Sequence, residues 1–230
     1  MCNFVIQIII AFSGLFGVIL GVFLTNISTR FLNLSLENIK MGKKIYYRIF
    51  TDLKFCFFTE TAFRKEHDTA EIISIKRLKI EVEEVLKRNI EFLDGNLFSI
   101  YHRLISDKYF ENFGGEVFKN IEYLKIFSEL LNCIHSVFKK HKMVDKILLN
   151  EVKELVYSYK VWHLLLEKFQ NEKTVEDILM MKWQFKNSFY DMYNNKFMKK
   201  LIKNKNIDDE DFITQFEELC GSIFNKQKHI

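Results

Sequence analysis

Residues 32–57 read LNLSLENIKMGKKIYYRIFTDLKFCF. Leu32, Leu36, Ile39, Lys43, Tyr46, Phe50, Leu53 and Phe57 follow one another at alternating steps of four and three. A helix returns side chains to one face at that interval, whereas a strand would need steps of two. The pattern predicts helix, and two arrangements fit it. A strict 3.5-residue repeat suits a supercoiled neck between subunits, with Lys43 as the one intruder. A wider stripe that also takes in Ile45, Ile49 and Phe55 suits a long helix packed on its own domain. Both stay open at the level of sequence.

The chain around this stretch has 230 residues, no proline and eight glycines, so no ring clash forces a helix to break. Hydrophobic residues make up 48% and charged residues 28%, which excludes a disordered chain. Four cysteines, Cys2, Cys56, Cys133 and Cys220, are too few and too widely spaced for a disulfide scaffold or a C-x-x-C site. They read as reduced thiols.

Toward the N-terminus the composition changes. Residues 1–29 carry no Asp, Glu, Lys or Arg. Residues 4–24, FVIQIIIAFSGLFGVILGVFL, would span about 31 Å as a helix, close to the hydrocarbon thickness of a bilayer. The start Met1-Cys2-Asn3 lacks the positive charge of a secretory signal. The expectation is a transmembrane anchor over 1–29, a juxtamembrane helical neck over 30–65 and a cytoplasmic helical domain over 66–230. The neck holds eight basic residues against three acidic ones, which orients the N-terminus outward and the domain into the cytoplasm, at the inner membrane. Ser13, Gly17 and Gly21 recur every four residues and form a ridge of small side chains for helix association, hence a homo-oligomer.

Toward the C-terminus the helical reading continues. Asp68 and Glu71 have capping-box spacing ahead of an apolar face running from Ile72 to Leu93, with Asp94-Gly95 as its stop. A shorter helix is expected near 97–106 and long ones over 116–140 and 144–170. Thr174 is expected to cap one running to about 204, and Asp208 to Asp211 to crowd the first turn of a last one. No segment alternates with period two, so no sheet is expected. The fold class is all-α: one membrane helix, a helical neck and a helical bundle.

The search for chemistry returns few candidates. There is no phosphate-cradling glycine loop, no H-E-x-x-H and no zinc spacing, so no catalytic, cofactor or metal residue is assigned and no enzyme is expected. His163 sits among Tyr159, Trp162, Leu166 and Phe169 and reads as a core residue. His141 and Asp145 are one turn apart, too few for a metal. Lys139-Lys140-His141-Lys142 suits the negative end of a helix dipole. Lys196, Lys199, Lys200 and Lys203 fall at i, i+3, i+4 and i+7, so they share one helix face. They form either a phosphate-binding stripe, for nucleic acid or lipid headgroups, or a solvated face.

An N-terminal membrane helix followed by a small helical cytoplasmic domain resembles the accessory membrane proteins of RNA-targeting type VI CRISPR systems. The resemblance implies a HEPN-like domain, assembly into a membrane pore and a role in antiviral defence against phage. The HEPN ribonuclease signature is an Arg, a polar residue, and a His four to six positions on. Arg88-Asn89 starts it, but Gly95 and Asn96 stand where the His belongs, and Arg103 has none in reach. Three functions stay open. They are an oligomeric, pore-forming membrane effector, a membrane-tethered interaction scaffold, and a degenerate HEPN-like nuclease. The partners implied are the lipid bilayer, further copies of the chain, and a protein or RNA on the cytoplasmic side.

Overall fold

The computed structural model describes residues 18, 20–26, 28–29, 36, 40, 42–61, 73–106, 115–185 and 194–227. Side chains are described for all of these except 42–43, 181–185 and 221–227. Among the described residues eight α-helices are delimited: α1 Tyr47–Glu60, α2 Ile75–Arg88, α3 Gly95–Ser106, α4 Glu116–His141, α5 Lys146–Phe169, α6 Glu172–Phe185, α7 Asn195–Lys203 and α8 Asp209–Gln227. A π-helical turn, Gly42–Tyr46, leads into α1, and a 3-10 turn, Ile90–Phe92, follows α2. There is no strand among the described residues, as the lack of period-two alternation predicts.

The centre of the bundle is the α4–α5 hairpin, joined by the short link 142–145. Its termini follow from local chemistry. Asp145 caps α5 by accepting from the Leu148 amide at 2.7 Å. Both α4 and α5 end on a left-handed residue that is not glycine, Lys142 (φ 49°) and Gln170 (φ 51°). Their amides close onto the carbonyls of Phe138 and Leu166.

Onto this hairpin the π-helical turn and α1 pack with Ile45, Tyr46, Ile49, Phe50, Leu53, Cys56 and Phe57 buried. That stripe is wider than an a/d seam, so the stretch that predicts helix serves the chain's own core over residues 45–57. Phe55, expected to widen the stripe, is exposed. Tyr159 on α5, fully buried, donates its hydroxyl to the Leu53 carbonyl of α1 at 2.9 Å. Around it gather Phe57, Phe127 and Trp162, with ring centroids 5.9, 6.1 and 5.7 Å from the Tyr159 ring. Truncating any of these rings to Ala would cost about 3–5 kcal/mol.

Several ends differ from expectation because Ser, Asp and Asn side chains compete as caps. Ser74 caps α2 by accepting from the Arg77 amide at 3.2 Å; the expected cap, Asp68, lies outside the described residues. Asp94-Gly95 opens α3 instead of closing α2, because Asp94 accepts from the Leu97 amide at 2.8 Å. Asn171, not Thr174, caps α6. The single helix expected from 174 to 204 is two, since Asn194 accepts from the Lys196 and Phe197 amides and starts α7.

The membrane reading is corrected here. No helix among the described residues is long and apolar enough to cross a membrane. Of residues 4–24, only 18 and 20–24 are described. The transmembrane anchor, the inner-membrane localisation with the N-terminus out, and the lipid bilayer as partner therefore drop out of the account. The association ridge falls mostly on residues that are not described. Ser13 and Gly17 lie outside the described residues, and a Cβ at Gly21 would meet nothing within 4 Å. Thr25 and Thr29 turn their hydroxyls back onto the Gly21 and Thr25 carbonyls, each at 2.7 Å. A homo-oligomer or pore built on that ridge has no support.

Candidate functional site

Of the residues singled out from sequence for binding, the structure keeps four together. Asn194 fixes the start of α7, and Phe197, Met198 and Leu201 anchor it in the core. Lys196, Lys199, Lys200 and Lys203 consequently project from the opposite face, and all four are exposed. Among the described residues, none of them has an acidic partner within ion-pair distance. Other bases do. Lys54 pairs with Glu151 at 3.0 Å, Lys79 with Glu83 at 3.1 Å inside the core, and Lys205 with Glu167 at 2.7 Å.

Helices α7 and α8 meet through Phe197 and Phe216, whose rings stand edge-on with centroids 5.5 Å apart. Outside that contact they enclose an open groove of about 630 Å³. Lys200 and Lys203 line one wall, Asp211 and Glu218 the other. Asn204 donates to Gln215 between the two walls, and Leu219 supplies an apolar patch. Lys196 and Lys199 belong to the same face but not to the groove. Asp208 caps α8 by accepting from the Asp211 amide at 3.0 Å. Its carboxylate sits below the ordinary range because of its hydrogen bonds to Asp211, and Asp211 is pushed up by that neighbour.

Sequence reasoning misses the acidic wall, because Asp211 and Glu218 lie two turns apart on α8 and become one surface only against α7. It also misses a cleft of about 160 Å³ at the meeting of the α2, α4 and α6 N-termini, floored by Trp162. Glu116 and Glu172 there sit in the first turns of α4 and α6, where helix dipoles favour them. Asn120, buried, donates to Glu172 at 2.6 Å.

Elsewhere in the bundle, burial shifts one thiol and two histidines. Cys56 and Cys220 are buried, and burial, aided by Asp94 and Glu129, pushes the Cys133 thiol up. His163 is half-buried at the core edge, and burial lowers it, with Lys125 and Lys205 opposing Glu167 and Glu122. His135 is lowered by burial and by Lys139 and Lys153. Asp145 is committed to its cap and makes no site with His141. Among the described residues no group of three His, Cys, Asp or Glu could hold a metal ion.

The chain matches no protein-family model, no curated protein and no solved structure. The likeness to the type VI CRISPR accessory proteins is withdrawn, since it rested on an anchor that the described helices do not supply. With it go the pore-forming defence effector, the membrane-tethered scaffold, the HEPN-like nuclease and the RNA partner. Arg88 and Arg103 instead make ordinary ion pairs, to Glu84 at 2.8 Å and to Glu129.

Proposed function

We propose that this chain is a helical binding module rather than an enzyme, and that the lysine face of α7 recognises a phosphate-bearing ligand. The observation that carries the reading is the clustering of four exposed ammonium groups on one helix face. Lys196, Lys199, Lys200 and Lys203 stand exposed on one side of one nine-residue helix, with no acidic partner in ion-pair distance among the described residues. Clustered ammonium groups repel one another, and a bound anion relieves that repulsion. α7 is rigidly seated by three buried side chains, so the lysine bases are preorganised even though their tips are free.

Calorimetric titration of the protein with pyrophosphate tests this. Binding should be saturable at low salt, weaken strongly at high salt, and vanish when Lys196, Lys199, Lys200 and Lys203 are all replaced by Gln. Equal binding by wild type and the Gln variant would remove α7 as the site.

A further inference from the structure

We propose that the groove between α7 and α8 takes a small dipolar ligand, in which a phosphate and an ammonium group are joined by a short spacer. The inference rests on the phosphate reading above and specifies the rest of the ligand. The two walls have opposite sign: Lys200 and Lys203 face the groove from α7, Asp211 and Glu218 from α8. Among the described residues neither lysine is ion-paired with either carboxylate, so the charges are held apart across the opening. A simple anion gains from the lysines but meets the repulsion of Asp211 and Glu218. A ligand that also carries an ammonium group turns that repulsion into attraction.

The size agrees. A volume of about 630 Å³ falls in the range of small-ligand sites. Between the walls, the Asn204–Gln215 hydrogen bond uses one atom of each amide and leaves Asn204 Oδ1 and Gln215 Nε2 for the ligand. Leu219 offers apolar surface to a spacer of a few methylenes. Because the groove is open to water, its electrostatic contacts are salt-sensitive.

The test uses three probes against the full chain in low-salt calorimetry: 3-aminopropyl phosphate, propyl phosphate and propylamine. The dipolar phosphate should bind about tenfold more tightly than propyl phosphate. The double variant Asp211→Asn with Glu218→Gln should erase that difference while keeping or strengthening propyl phosphate binding, with an unchanged thermal melt. Equal affinity of wild type for both phosphates would overturn the dipolar ligand and leave the phosphate reading standing. Failure of both phosphates to bind, or binding of propylamine as tight as that of the dipolar phosphate, would overturn both.

Discussion

Lys168 Nζ, at the end of α5, lies 3.0 Å from Asp209 Oδ1 in the first turn of α8. The same ammonium donates to the carbonyl oxygens of Ile207 at 2.8 Å and Lys205 at 3.3 Å. It also stands over the rings of Phe169 and Phe212. One buried lysine thus ties the α7–α8 connection, and with it the groove, to the central hairpin. Lys205 returns the contact by pairing with Glu167.

Lys168→Met keeps the aliphatic stem but removes the charge, leaving two carbonyls and Asp209 without their donor. Stability to urea should fall by about 2 kcal/mol, the scale of hydrogen bonds to a charged group. Amide exchange should quicken over residues 195–216 before it does over 146–169. Asp209→Asn should cost less than about 1 kcal/mol, because Asp209 is largely exposed. A larger loss from Asp209→Asn than from Lys168→Met would contradict the ordering.

Lys142 and Gln170 hold positive φ with a Cβ present. Lys142→Gly and Gln170→Gly should each raise stability by about 0.5–1 kcal/mol, as relief of left-handed strain outweighs the entropy glycine adds to the unfolded chain. A lower urea midpoint for both variants would show that the side chains contribute more than the strain.

These ends illustrate what the sequence makes legible. The spans of α4 and α5 were readable to within two residues, because their apolar positions repeat at helical spacing. Asp94-Gly95 was misread because an Asx-Gly pair serves a helix end and a helix start equally well, and only the Leu97 amide decides. Within the candidate site, the lysine face was visible because it lies on one helix. Its acidic counterpart was not, since no local period records how α8 lies against α7.

Histidine titration should give the fold a slope in the mildly acidic range. His135 and His163 are both lowered from 6.5, chiefly by burial. The folded state therefore binds fewer protons than the unfolded one. Their contribution is complete above the unfolded value and is lost as pH falls from there through the folded values. Urea midpoints should drop on acidification from pH 6.5, above the carboxylate range. The double variant His135→Gln with His163→Gln should flatten that drop; an unchanged slope would assign it elsewhere.

Asp52 works in the opposite sense. Burial and the charge of Glu81 raise its carboxyl above 3.8, against the pull of Arg48, and its Oδ2 has no hydrogen-bond partner. Folding then favours the protonated form, so stability falls as pH rises from 3.8 through the folded value and stays reduced above it. Asp52→Asn should stabilise the protein at neutral pH and change little in acid. Destabilisation at neutral pH would mean that the carboxylate has a favourable role there.

The central claim is that α7 presents a phosphate-recognising face, and residue-resolved NMR addresses it most directly. Pyrophosphate added to the isotope-labelled full chain at low salt should shift the amides of residues 196–203 along one saturable curve, with the 116–141 and 146–169 amides unmoved. Shifts scattered over surface lysines throughout the bundle, or none on α7, would contradict it.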